Sequence, residues 1–191
     1  MRICVYGASS NLIDPAHLAA GEALGKGIAK RGWSLVFGGG AQGMMGAAVR
    51  GVRSENGEAL GISPSFFNVD GILYDDCTEF IYTDTMRERK QLLEEKADAF
   101  IMSAGGIGTF EEFFEILTLK QLGKHNKPIV VLNTLNYYDA MLQMLQTAVE
   151  GKFMQQACLQ LFAVCRTPEE ALDYIRDYNE NALDITHLKN I

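Results

Sequence analysis

Short apolar runs alternate with longer amphipathic stretches along the chain. The runs at residues 3–6, 34–37, 59–62, 79–83, 99–102, 128–132 and 162–165 have the length of strands. Between them, residues 15–31, 43–56, 86–97, 110–122, 138–150 and 168–178 carry helical periodicity. Strands such as Ile129-Val130-Val131-Leu132 are apolar on both faces, as a parallel sheet covered by helices requires. The alternation predicts an α/β fold, a Rossmann-like, doubly wound, mainly parallel sheet with helices on both faces. A single domain over residues 1–191 accounts for it, with a polar tail from Asn179 onward expected to be loosely attached.

Ligands of such sheets bind outside the carboxyl ends of the strands, so the residues that follow the strands matter most. Three of the predicted strands run into glycine clusters. These are Gly7-Ala8-Ser9-Ser10, Gly38-Gly39-Gly40-Ala41-Gln42-Gly43 and Gly105-Gly106-Ile107-Gly108-Thr109. Glycine lets backbone N–H groups come close to a ligand, and a following helix offers the positive end of its dipole. The third cluster opens a helix and reads as a site for an anionic group, above all a phosphate.

The second cluster formally satisfies G-x-G-x-x-G, but the dinucleotide scheme also needs an acid at the end of the next strand. That position reads Leu60-Gly61-Ile62-Ser63-Pro64, and Glu58 lies at the wrong end. A hydride-transfer enzyme is therefore disfavoured. A Walker-type nucleotidase is disfavoured too, because no Gly-Lys pair is followed by Ser or Thr.

Asp84-Thr85-Met86-Arg87-Glu88-Arg89-Lys90 opens another helix, with Thr85 and Glu88 spaced as a capping box. Arg87 has Asp84, and Lys90 has Glu94, within reach as surface partners. Arg89 has neither. Its neighbours three and four positions away are Thr85, Met86, Leu92 and Leu93, so it shares the apolar stripe. A core-facing arginine needs an anion from elsewhere, either a distant carboxylate or a ligand. Glu112 poses a similar choice. Thr109-x-x-Glu112 is itself a capping box, yet a carboxylate beside an anion site suits a centre that becomes positive during reaction. A helix N-terminus would hold its pKa down. Glu111 and Glu115 compete for the same role on spacing alone.

The formal charge of −7 argues against non-specific binding to nucleic acid or to an anionic membrane surface. Cys4, Cys77, Cys158 and Cys165 form no CxxC pair, and a reduced, buried thiol is expected at Cys4. The chain enters its first strand at once, with no long apolar run, so a cytoplasmic protein is expected. His17, His125 and His187 are read as surface residues. For Phe66, Phe67 and the Met44-Met45 pair, core packing is favoured over lining a pocket for an apolar base.

Met86-x-x-Arg89-Lys90, the Gly105–Thr109 turn with Glu112, and Leu117-Thr118-x-x-Gln121-Leu122-Gly123 together resemble the LOG family. Gly7-Ala8-Ser9-Ser10 and the run from Phe37 to Gly46 match as well, and the similarity spans roughly residues 2–175. Its members are cytokinin riboside 5′-monophosphate phosphoribohydrolases, long labelled lysine decarboxylase-like. The resemblance implies hydrolysis of the N-glycosidic bond of adenine-type nucleoside 5′-monophosphates, giving free base and ribose 5-phosphate. It implies a homodimer and no metal or organic cofactor. By position it makes Arg89 and Glu112 the catalytic pair. Around the substrate it sets Gly7, Ser9, Gly39, Gly40, Met86 and Lys90 with Gly105, Gly106, Ile107, Gly108 and Thr109. Two positions depart from the family pattern, Ala104 where proline is usual and Arg87 where histidine is usual. A second expectation of another class is a non-catalytic nucleotide or phosphate-ligand carrier on the same fold. It explains the glycine turns equally well but has no need of both Arg89 and Glu112. A third is a nucleotide-sensing regulatory subunit.

Overall fold

Alternate residues of the first strand, β1 (Arg2–Tyr6), feed opposite cores: Ile3 and Val5 point one way, Cys4 and Tyr6 the other. All four are buried, so the strand is covered on both faces, as its apolar run requires. The structure is a computed structural model and describes residues 1–179. Beyond β1 it contains β2 (Ser34–Phe37), β3 (Ala59–Pro64), β4 (Glu79–Thr83), β5 (Ala99–Met102), β6 (Ile129–Leu132) and β7 (Ala163–Cys165). The helices are α1 (Pro15–Lys30), α2 (Gly43–Ser54), α3 (Met86–Lys96), α4 (Ile107–Gln121), α5 (Asp139–Glu150) and α6 (Pro168–Arg176).

The strands form one parallel sheet in the order β4-β3-β2-β1-β5-β6-β7. Helices α1, α2 and α6 cover one face through Leu24, Ile28, Val49, Val52, Leu172 and Ile175. Helices α3, α4 and α5 cover the other through Leu93, Phe113, Ile116, Tyr138 from the α5 N-cap, and Leu145. The chain runs outward from β1 to β4, then returns to the other side of β1 with β5. The order therefore reverses between β1 and β5, and the crevice of a doubly wound sheet opens there.

The predicted elements are all present, and the doubly wound fold stands. One boundary shift matters: α4 begins at Ile107, three residues before the expected start, so Thr109 lies inside the helix. Two of the expected surface histidines are not on the surface. His17 is buried on α1, and His125 is half-buried within the α4–β6 loop; His187 lies outside the described residues, as does the tail beyond Asn179. All four cysteines are free thiols, and Cys4 is buried. Among the described residues, no helix is long and apolar enough to cross a membrane.

His125 Nε2–H donates to the carbonyl of Ile116 at 2.9 Å, while Nδ1 accepts from Lys127 N–H at 3.2 Å. The Nδ1 bond requires the neutral ring, whereas the bond to the Ile116 carbonyl favours the charged one and opposes the shift. Burial, aided by the charges of Lys120 and Lys127, lowers its pKa from 6.5 to about 4. The unfolded chain then takes up a proton near pH 6.5, whereas the folded chain resists until about 4. Stability is therefore lost as pH falls through that window. In urea unfolding between pH 7 and 4, His125→Gln is expected to lose less stability than the wild-type protein. Parallel curves would contradict this reading.

Candidate active site

Three glycine-rich loops leave adjacent strands, β2, β1 and β5, at the same edge of the sheet. They are tied to one another through the backbone. Ala8 N–H donates to Ala104 O at 2.9 Å, and Met44 N–H donates to Ala8 O at 2.8 Å. Gly43 N–H donates to Asn11 Oδ1 at 2.8 Å. Gly43 has φ 60°, and a Cβ there would sit 2.2 Å from Ala8 O, so no other residue fits. The loops enclose a cavity of about 650 Å³ at the β1/β5 switch point. A second, polar depression of about 780 Å³, around Trp33, Glu58 and Asp98, lies at the amino-terminal edge of the sheet, away from these loops.

Helix α4 aims its N-terminus into the cavity. Its N-cap is Gly106, with no side-chain cap, and its first internal bond runs from Phe110 N–H to Gly106 O at 3.0 Å. The N–H groups of Ile107, Gly108 and Thr109 thus have no acceptor within the helix. With the positive end of the dipole behind them, they make an anion site. Ile107, Gly108 and Thr109 all line the cavity. The capping-box alternative for Thr109 and Glu112 fails, because the helix has already started two residues before Thr109.

Arg89 on α3 and Glu112 on α4 meet at the inner end of the cavity. Arg89 Nη1 donates to Glu112 Oε1 at 2.8 Å, and Nε donates to the carbonyl of Ile62 at 3.2 Å. The residues are 8% and 9% exposed. Two buried charges of opposite sign answer each other, so the anion that Arg89 required is a distant carboxylate. The predicted capping box of Thr85 and Glu88 is present and sets the first turn of α3. The expected downward pull of the helix terminus on Glu112 is overturned. Burial raises its carboxyl above the ordinary value, with the Arg89 guanidinium opposing the rise. With α4 starting at Ile107, Glu112 lies beyond the first turn, where the dipole no longer acts strongly.

Of the expected site residues, Gly7, Ser9, Gly40, Met86, Arg89 and Glu112 line the cavity together with Gly106 to Thr109. Three do not. Gly39 packs against the ring of Phe80, Gly105 lies behind the turn, and Lys90 reaches across to α4, where it pairs with Glu111 and Glu115 instead of Glu94. That ion cluster holds Glu111 and Glu115 away from the cavity that Glu112 lines. Arg87 is exposed and, among the described residues, forms no ion pair with Asp84.

The sequence favours core packing for Met45 and Phe67 and does not mark Ile72 or Leu73, yet all four form an apolar wall. Met45, Phe67, Ile72 and Leu73 line the cavity, with Gln42 and Ser63 beside them. Phe66 and Phe67 are 58% and 41% exposed, contrary to the expectation of core packing, whereas Met44 is buried as expected. Ile72 and Leu73 arrive because the segment between β3 and β4 folds back over the β2 loop. Ala41 N–H donates to Ile72 O and Tyr74 N–H donates to Gly39 O, both at 2.9 Å. The available signal was length: a long connection without helical or strand period, yet holding several large apolar residues, points to a functional loop.

The sequence model of a family described as "possible lysine decarboxylase" matches residues 45–175. A Mycobacterium tuberculosis protein named cytokinin riboside 5′-monophosphate phosphoribohydrolase is 35% identical over 173 residues, covering 89% of this chain and 90% of its own. A Rhodococcoides fascians protein of the same name is 38% identical over 156 residues, covering 81% and 79%. Among solved structures, the molybdenum cofactor binding protein of Rippkaea orientalis superposes with a TM-score of 0.70 at 24% identity, over 92% of this chain and 94% of that one. The Moco carrier protein of Chlamydomonas reinhardtii gives 0.69 at 24%, over the same shares. At such identity these two show the fold alone.

The guanidinium of Arg89 lies directly over Gly38, where a Cβ would stand 1.9 Å from Nη2. Gly38→Ala is therefore expected to displace the guanidinium and destabilise the protein by about 1–3 kcal/mol, as overpacked sites do. Urea unfolding measures it. An unchanged midpoint would show that Arg89 is not seated as described.

Proposed function

The chain belongs to the LOG family of phosphoribohydrolases, and from that premise we propose that it hydrolyses the N-glycosidic bond of adenine-type nucleoside 5′-monophosphates, releasing free base and ribose 5-phosphate. The observation that carries the proposal is the juxtaposition in one cavity of an anion-binding helix terminus and a buried Arg89–Glu112 pair. Each member of the juxtaposition has a task in this reaction.

The 5′-phosphate takes the N–H groups of Ile107, Gly108 and Thr109, which anchors the ribose. The apolar wall of Met45, Phe67, Ile72 and Leu73 offers the base a flat, dry partner. Loss of the base leaves positive oxocarbenium character at C1′, as in glycoside hydrolysis. Glu112, ionised, stabilises that charge and orients the attacking water. The water oxygen bonds to C1′ as the C1′–N9 pair departs with the base. Burial makes Glu112 a stronger base than an exposed carboxylate, so it suits taking the water's proton and passing it to the departing base. Arg89 holds the carboxylate at 2.8 Å and presents its remaining donors to the sugar. A pyridoxal-dependent decarboxylase is a poor fit, because nothing in the sequence marks a site for that cofactor.

A carrier on the same fold would bind AMP without consuming it. Incubation with AMP and chromatography of the products separates the two. The wild-type protein is expected to release adenine, and Glu112→Gln to do so at least about 100-fold more slowly. Equal rates would remove Glu112 from the chemistry. Stabilisation by AMP without release of adenine would support the carrier.

A further inference from the structure

The turn before α4 contains a peptide unit with no side chain on either side, between Gly105 and Gly106. Planarity makes its C=O and N–H point in opposite directions. In one orientation the Gly106 N–H joins the donors facing the cavity. In the other, the Gly105 carbonyl faces the cavity and repels an anion. Two glycines allow the rotation between them at little steric cost. Ala104, preceding the pair, adds no ring to restrain the backbone.

The restraint comes from the segment after β6. Tyr137 Oη donates to Gly105 O at 2.9 Å, and Tyr138 Oη donates to Ser103 O at 2.7 Å. Two successive tyrosines thus grip carbonyls two residues apart, one before the turn and one within it. Gly106 lines the cavity and Gly105 does not, so the gripped carbonyl is held on the far side. The gripping segment is itself held in an unfavourable shape. Leu135 has φ 56° and Asn136 φ 59°, the left-handed region that a leucine rarely enters. Asn133 braces it, accepting from Tyr138 N–H and donating to Asp139, both at 2.7 Å. His17 on α1 packs edge-on against the Tyr137 ring, centroids 5.6 Å apart. Such strain persists where the surroundings over-determine it, and it clusters near functional sites.

We propose that Tyr137 is a positioning residue for the anion site: its hydroxyl locks the Gly105–Gly106 peptide so that the Gly106 N–H faces the bound phosphate. This rests on the reading of the α4 terminus as the 5′-phosphate anchor. The residue touches no substrate and acts through one carbonyl.

The test is Tyr137→Phe, assayed with AMP and with inorganic phosphate as competitor. Loss of one hydrogen bond that orients a donor is expected to raise KM for AMP about fivefold, with the inhibition constant of phosphate rising in step. The kcat is expected to hold within about twofold, because Arg89 and Glu112 are undisturbed. The melting temperature is expected to stay within about 4 °C of the wild-type value. Tyr137→His, which keeps a ring and an N–H donor, is expected to restore part of the loss and serves also if the Phe variant folds poorly. A lower melting temperature with unchanged KM and phosphate inhibition would make Tyr137 merely structural and overturn the proposal. A fall in kcat at constant KM would overturn it as well. If the wild-type protein consumes no AMP, the hydrolase reading fails separately, and calorimetric titration of AMP into both proteins decides the clamp. A fivefold weaker affinity in the variant supports it, and equal affinities overturn it.

Discussion

The buried contact between Arg89 and Glu112 is the constraint around which the rest of the site is arranged. Neither charge is tolerable alone at that depth, and removing one partner would leave the other uncompensated at a cost of about 3–5 kcal/mol. The pair therefore fixes how α3 and α4 enter the sheet, one from each side of the β1/β5 crevice. It dictates a glycine at position 38, because the guanidinium occupies the space of a side chain there. It also recruits the carbonyl of Ile62 as a second acceptor. A carboxylate held this way is desolvated, oriented and raised in basicity, a combination that a surface carboxylate lacks.

A second arrangement answers the first across the cavity. The α4 terminus supplies uncommitted N–H donors, and no side chain caps it. Glu112 stands on the same helix, but beyond its first turn, so the terminal N–H donors and the Glu112 carboxylate are separated along one rigid rod. The helix thereby sets the distance between those donors and the carboxylate without help from flexible loops. The apolar wall, by contrast, comes mainly from the β3–β4 excursion, joined by Met45 from α2.

Much of this was legible in the residues. The strands were visible as apolar runs, because a sheet covered on both faces demands them, and the glycine clusters marked the carrying edge. Arg89 stood out as a cation on an apolar stripe, which left its partner open; only the fold brings Glu112 across from 23 positions away. What stayed hidden was long-range or balanced on one residue. The true start of α4 depends on Gly106 as a bare N-cap, while Thr109 and Glu112 offered a plausible box three residues on. Lys90 had Glu94 one turn away, yet the acids of α4 lie nearer in space. Ile72 and Leu73 gave no periodic signal, since their placement comes from the backbone bonds that Ile72 and Tyr74 make to the β2 loop.

The proposed hydrolysis depends on the glycine turn anchoring a 5′-phosphate so that Glu112 can act at C1′. The most direct measurement is the kcat/KM for base release from AMP against that from adenosine, which differs only in lacking the phosphate. Anchoring by several charge-assisted bonds predicts a preference for AMP of at least about 1000-fold. Comparable values for the two would contradict it, and would leave the α4 terminus without the role assigned to it.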